Sequence, residues 1–269
     1  MSFNNSCSFA GIANLLAEKG IDAEDYEIAL GMRLPYMIDK EEGSYLSGPM
    51  LQTKVWFQLY LAPLGFELDE KFLKKQDVIS YIRKAAPAMI GVQFRTGVRH
   101  AVVYVGEDNG KMRFLNNKRK DSADPDDYLW TEEEFLEKID RDITVAGCLV
   151  KAEKQLPDFA PRYERSLFVL SELQKDVNAV CKRAMDHETL RDYQENLFRA
   201  VLLDNIAVLK LTPEALLVEQ FENVQRQYLA AMRTSQETIV LADYMNMVQL
   251  NEAIDGWRNA IWRSSENEG

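Results

Sequence analysis

The sequence predicts an α+β domain followed by an all-α helical bundle, and three observations carry that reading. Up to residue 84, apolar residues recur mostly at three- and four-residue steps, the spacing of helices that bury one face. From Pro87 the pattern changes to short apolar runs separated by turn residues, which reads as strands. Beyond a proline-containing stretch, 154–162, the helical period returns and persists. The first domain is expected over residues 1–153, as N-terminal helices plus a small antiparallel sheet. The helical domain is expected over 163–269.

The elements follow in order. Ser6 stands where it can cap a first helix that Cys7 opens and that Phe9, Ile12, Ala13, Leu15 and Leu16 line at helical spacing. Gly20 stops it, and Asp22 to Asp25 start a second helix, acidic in its first turn, that runs to Gly31. Residues 32–48 are punctuated by Pro35, Gly43 and Gly48 yet carry Leu34, Met37, Ile38 and Tyr45. They read equally as a loop lining a pocket and as one packed over the core. Helices are expected over 49–64 and 74–84, strands over 87–94, 100–105 and 111–116, and a turn at Gly106 to Gly110. A capping box, Thr131 with Glu134, opens a short helix, and residues 145–151 close as a fourth strand. The second half predicts helices over 166–185, 189–209, 213–232 and 238–262, packed antiparallel, with a frayed tail at 264–269.

The formal charge of −11 argues against a basic nucleic-acid footprint and against a polybasic membrane surface. No apolar run spans a bilayer and no secretory leader is evident, so a cytoplasmic protein is expected. The three cysteines, Cys7, Cys148 and Cys181, make no zinc pattern, and neither a metal nor a cofactor is expected. Cys148 and Cys181 lie in apolar surroundings and read as core filler.

Cys7 is different. The N-terminus of a helix carries partial positive charge and unpaired N–H groups, which favour the thiolate, the nucleophilic form. A thiol nucleophile needs a base, and the chain has only two histidines. His187, between two helices and flanked by Asp186 and Glu188, reads as a surface or capping residue. His100 begins an apolar strand after the segment 95–99, at the edge of the sheet, where a side chain reaches a cleft while its strand stays rigid. An imidazole in that role needs a third group to fix its tautomer. The hairpin brings Asn116 and Asn117 back beside His100, so either amide can serve. On spacing alone it is equally a strand-edge histidine beside asparagines that merely end a strand.

Taken together these residues resemble the papain-like fold of the bacteriocin-processing double-glycine cysteine peptidases. The resemblance, over about residues 1–152, rests on Cys7 at the head of a helix, the Pro-initiated strand 87–92, and the run His100-Ala101-Val102-Val103-Tyr104-Val105-Gly106. The position that family gives to a motif Asp downstream of its histidine is Asn116 here, and its Gln upstream of the cysteine falls on Met1. The resemblance implies Cys7 as nucleophile, His100 as base and Asn116 as the orienting residue. Asn4 or Asn5 is then expected to join the Cys7 N–H in binding the oxyanion, with Asn117 as an alternative member. The organisation is also similar to the N-terminal domain of the butirosin-biosynthesis acyltransferase family: a cysteine-headed helix, an acidic helix leading from Asp25 to Gly31 and on to Tyr36, and a separate C-terminal part. That family moves an aminoacyl group from a carrier-protein thioester to an amine. The implied activity is cysteine acyl transfer on a peptide, an amide or a carrier-protein thioester, with water or an amine as acceptor. The alternative is a papain-fold binding or scaffold protein without catalysis. An N-terminal-nucleophile amidase would require cleavage just before Cys7. Trp257, Ile261 and Trp262 are expected at a carrier-protein contact or at a homodimer interface through the helical domain.

Overall fold

The computed structural model describes residues 1–95, 98–119 and 121–267. Thr96 and Gly97, in the segment before His100, and Glu268 and Gly269, in the tail expected to fray, lie outside the described residues.

The chain divides into two units. Helices α1 (Cys7–Ala17) and α2 (Asp25–Gly31) open the first. The chain then contributes Arg33–Leu51 to the second unit, including the antiparallel hairpin β1 (Ile38–Glu41) and β2 (Ser44–Ser47). It resumes the first unit with α3 (Lys54–Leu64), β3 (Phe66–Lys74), α4 (Val78–Ala85), β4 (Ala88–Arg95), β5 (Val98–Asp108), β6 (Lys111–Asn116), β7 (Asp127–Trp130), α5 (Glu132–Glu137) and β8 (Ile143–Lys151). The second unit is completed by α6 (Ala160–Cys181), β9 (Ala184–Met185), α7 (His187–Tyr193), α8 (Asn205–Leu209), α9 (Ala215–Met232), β10 (Ile239–Val240) and α10 (Met247–Glu266).

The first unit is built on a six-stranded antiparallel sheet in the order β3-β8-β4-β5-β6-β7. Sequence periodicity finds four of these strands. It misses β3 because Glu67, Asp69, Glu70, Lys71 and Lys74 make a charged string, and its apolar Phe72 faces outward, 77% exposed. What makes β3 a strand is its pairing with β8 along its whole length, from Phe66 opposite Lys151 to Lys74 opposite Ile143. A charged edge strand of this kind discourages pairing with other chains. The short β7 falls where a polar loop is expected to give way to a helix, and it pairs with β6. The helix expected over 49–64 begins only at Lys54, because Thr53 is extended and residues 48–50 make a separate 3-10 turn.

The two faces of the sheet are covered differently. Ile90 and Val92 of β4, Val102 and Tyr104 of β5, Met112 and Phe114 of β6, and Ala146 and Cys148 of β8 form one apolar cluster with Val78 and Ile82 of α4 and Phe135 of α5. Helix α1 packs against β5, β4 and β8, burying Phe9, Ile12, Leu15 and Leu16 completely. Burial on that scale, at about 2 kcal/mol per large apolar side chain, holds the cysteine-bearing helix to the sheet.

The second unit is mainly helical but not all-α, since it contains the β1–β2 hairpin and the short β9–β10 pair. Residues 33–51 are part of its core. The Ile38 N–H donates to Ser166 Oγ (3.1 Å), Tyr45 donates to Asp176 (2.6 Å), and Ser47 donates to the Ala200 carbonyl (2.7 Å). The Trp257 indole N–H donates to the Pro35 carbonyl at 2.8 Å. Trp257 and Ile261 are fully buried, which removes them from any docking surface; Trp262 is 54% exposed. The expected linker is shorter than its prolines suggest, because Pro161 sits in the first turn of α6, where a missing N–H is tolerated. Helix α10 runs on to Glu266, past the point where fraying is expected. Between α7 and α8 the chain winds as two π-helical turns, Gln194–Phe198 and Ala200–Asp204. No helix among the described residues is long and apolar enough to cross a membrane.

Candidate active site

Cys7 is the first residue of α1, as the sequence predicts, but the cap is not. Ser6 has φ −87° and ψ 17°, outside the extended region a capping residue needs, and makes no capping bond. Its buried hydroxyl instead donates to Asp25 of α2 at 2.6 Å, and the same carboxylate accepts from the Ser2 N–H at 2.6 Å. Asp25 is 3% exposed and ties down the residues that lead into Cys7. One consequence is chemical: among the described residues Ser6 leaves the first amides of α1 without a side-chain cap.

Three contacts set how α1 lies on the sheet. A Cβ on Gly11 would come within 2.9 Å of Asn117 Nδ2 and 2.3 Å of Met89 Sδ, so the absence of a side chain there lets the helix approach β4 and the end of β6. Asn14 then donates to Asn117 Oδ1 (2.6 Å), and Asn117 Nδ2 donates to the Ala101 carbonyl (2.9 Å). Asn117, offered by sequence as an alternative site member, is therefore the tie between α1 and β5. It does not pair with His100.

Asn116 does. Its Oδ1 lies 2.9 Å from His100 Nε2, while its Nδ2 donates to the Pro125 carbonyl (2.8 Å) and to Tyr128 Oη (2.9 Å). A carbonyl oxygen can only accept, so Pro125 forces the NH₂ end of the amide toward itself and the oxygen toward the imidazole. An oxygen there needs a donor, which puts the proton of neutral His100 on Nε2 and leaves Nδ1 as the basic nitrogen. His100 and Cys7 line the same cleft, and each shifts the other's pKa. With Nε2 committed to Asn116, Nδ1 is the ring nitrogen left to act on the thiol. Phe94 packs its ring edge-on to His100 at 5.3 Å between centroids, and Tyr128 packs on Phe94 at 5.1 Å. Tyr128 belongs to β7, a strand the sequence does not announce.

The electrostatics follow from this geometry. Burial opposes a thiolate at Cys7, but the His100 hydrogen bond, the Ala101 backbone amide and the imidazolium charge outweigh it. The pKa of Cys7 is thereby lowered from the ordinary thiol value. Burial likewise opposes a charged His100, and the bond to Cys7, the thiolate charge and the bond to Asn116 outweigh it, so its pKa is raised. The contrast is Cys181, whose pKa burial alone pushes up to about 12. Cys7, unlike Cys181, combines a depressed pKa with access to a cleft. Scanned against protein-family models the chain matches none, and a search of the curated proteins finds no match either.

The cleft, of about 520 Å³, is lined by Cys7, Ser8 and His100 together with Gln52, Glu70, Phe72, Gly91 and Gly147 among others. Asn4 and Asn5 are not part of it. Both are exposed, Asn4 accepts a bond from Arg119 at 3.0 Å, and Asn5 adopts a left-handed φ of 62°. The side-chain amide that does line the cleft is Gln52, half-buried just before α3 and engaged in no hydrogen bond among the described residues. Nothing in its sequence neighbourhood marks it. His187 opens α7, where Asp186 provides the cap through a 2.8 Å bond from Thr189 N–H. Among the described residues no group of three or more His, Cys, Asp or Glu side chains gathers as a metal site.

Proposed function

We propose that this chain is a papain-like thiol acyl-transfer enzyme in which Cys7 is the nucleophile, His100 the proton carrier and Asn116 the residue that holds the imidazole. The observation that supports the reading is the amide orientation of Asn116, fixed by Pro125 and Tyr128, which leaves Nδ1 as the basic nitrogen of a histidine that shares its cleft with a thiol of lowered pKa. His100 is half-buried on the interior strand β5 rather than at the sheet edge expected from sequence, and a histidine serving packing alone has no need of an orienting amide on one ring nitrogen.

In the proposed reaction the Cys7 thiolate attacks the carbonyl carbon of a thioester or amide, and the carbonyl oxygen takes up the negative charge. The uncapped amides at the head of α1 and the Gln52 side chain, in place of Asn4 or Asn5, hydrogen-bond that oxygen. Collapse breaks the bond to the leaving thiol or amine, which receives the proton from His100 Nδ1, and leaves an acyl group on Cys7. Water or an amine then attacks, His100 takes its proton, and the Cys7 thiolate departs. Water makes the enzyme a hydrolase and an amine makes it a transferase.

The test is intact-protein mass spectrometry after mixing with the S-benzoyl thioester of N-acetylcysteamine. One benzoyl group is expected on the Cys7 peptide, absent in Cys7→Ser and discharged faster when a primary amine is added if the acceptor is an amine. Labelling of Cys148 or Cys181 with Cys7 bare would sink the proposal. Gln52→Ala is expected to lower the acylation rate by about 10²-fold with little change in the pH at which Cys7 ionises, the effect of losing one oxyanion donor. A pH profile displaced along with the rate would mean that Gln52 acts on the thiol instead.

A further inference from the structure

The cleft extends well beyond Cys7. Register places Ala101 of β5 opposite Gly91 of β4, Met89 of β4 opposite Gly147 of β8, and Gly147 opposite Glu70 of β3. Residues paired in this way share a face, and Met89 and Gly91, two apart on β4, share it too. It is the α1 face, since Gly11 of α1 approaches Met89. Two glycines and an alanine therefore floor a trough that crosses the sheet from β5 to the edge strand. A Cβ on Gly91 would meet Arg99 at 3.2 Å, and one on Gly147 would meet Leu68 at 3.0 Å. At the far end stands Glu70, flanked by Phe72 and by Val145 directly opposite Phe72. Phe72 and Ile143 are 77% and 56% exposed, an apolar platform at the rim of the trough.

Glu70 is a carboxylate left without a partner in this arrangement. It is half-buried, and among the described residues it makes no ion pair and accepts no hydrogen bond. The cation whose field reaches it, Lys54, is bonded to Glu67. Arg99 and Arg141 also line the cleft; Arg99 is paired with Asp140, and Arg141, exposed just ahead of β8, makes no ion pair with Glu70 among the described residues. A carboxylate that gives up part of its water without gaining a partner is destabilised in the free protein, and a cation delivered to it recovers that cost.

We infer that Glu70 is a substrate-binding residue, receiving an ammonium group carried by the substrate at the end of an apolar linker lying along the trough over Gly91 and Gly147. This rests on the reading of Cys7 as the attacking group. It adds that the preferred substrates are cationic at a set distance from the reacting carbonyl. Three strand spacings separate β3 from β5, roughly 14 Å, so the linker is several bonds long.

The test uses Cys7 as its own reporter. Alkylation rates are measured with N-(ω-aminoalkyl)iodoacetamides of two to eight methylenes (on the order of the span above) and with the N-alkyl iodoacetamides of matching length. The cationic-to-neutral rate ratio is expected to peak at one linker length, at about fivefold or more, the worth of a charge-assisted bond to a carboxylate. It should fall toward one in Glu70→Gln and below one in Glu70→Lys, and it should decline with added salt. Glu133→Gln, at an exposed acid on α5 outside the cleft, should keep the peak. A ratio that is flat with linker length, or unchanged in Glu70→Gln, overturns the inference. The catalytic reading fails separately: absolute rates independent of His100 would retire it, while the ratio, taken at one thiol, would still report on Glu70.

Discussion

His100→Ala should slow alkylation of Cys7 by iodoacetamide at pH 7 by about 10²-fold, the scale on which a positioned base contributes. The sign follows from the opposing influences on the thiol. Burial raises its pKa, and the His100 bond and charge, with the Ala101 amide and Ser8, lower it further than burial raises it. Deleting the imidazole removes the largest favourable influence and leaves burial in place, so the thiol should titrate above its ordinary range and be almost wholly protonated at neutral pH. In the wild type, reactivity should set in below the usual thiol range and persist upward, because His100, its own pKa raised, favours the thiolate while it holds its proton. The measurement is the alkylation rate from pH 4 to 10. Superimposable profiles for wild type and His100→Ala would remove the thiolate–imidazole pair from any account of the site.

Trp257→Ala should destabilise the second unit by about 4 kcal/mol, within the range for truncating a fully buried large aromatic residue. Trp257 is completely buried, packs edge-on to Phe221 at 6.1 Å and satisfies the Pro35 carbonyl. The substitution leaves both a cavity and an unpaired buried acceptor. Chemical denaturation followed by circular dichroism reads the loss. Amide exchange reads its distribution: the backbone of β1 and β2 should lose protection together with α6 and α10. A hairpin that stayed protected while α10 opened would contradict its place in the second unit's core.

How much of this was legible in the sequence depended on whether the signal was local. Cys7 and His100 stand out because a helix start and a strand start are each written within a few residues; the hairpin return narrows the third member to Asn116 or Asn117, and only the family resemblance selects Asn116. Gln52 and Glu70 had no such mark. Glu70 reaches the cleft only because β3 pairs in register with β8, and β3 is a string of charges whose strand character comes from its neighbour. Tyr128 and Pro125, which orient Asn116, depend in the same way on β7 and the turn before it. Asn4 and Asn5 were adjacent to Cys7 in sequence, yet the Ser6–Asp25 bond and the left-handed turn at Asn5 carry them away from the cleft. The apolar content of residues 33–51 was visible. Its partner was not, because that partner is distant helices.

The path of the chain also constrains the order in which this protein can be made. Residues 33–51 leave the ribosome before the helices they pack on, and the indole that bonds the Pro35 carbonyl follows 222 residues later. Ser166 and Ala200, which anchor Ile38 and Ser47, come at intermediate times. Until then Met37, Ile38 and Tyr45, all buried in the finished fold, have no surface to pack on. Closing so long a loop costs little more at equilibrium than closing a short one, but it delays the step. The nascent chain therefore carries an early apolar hairpin awaiting late helices. Association with chaperones or self-aggregation at that stage is where mutations in this unit should first be felt.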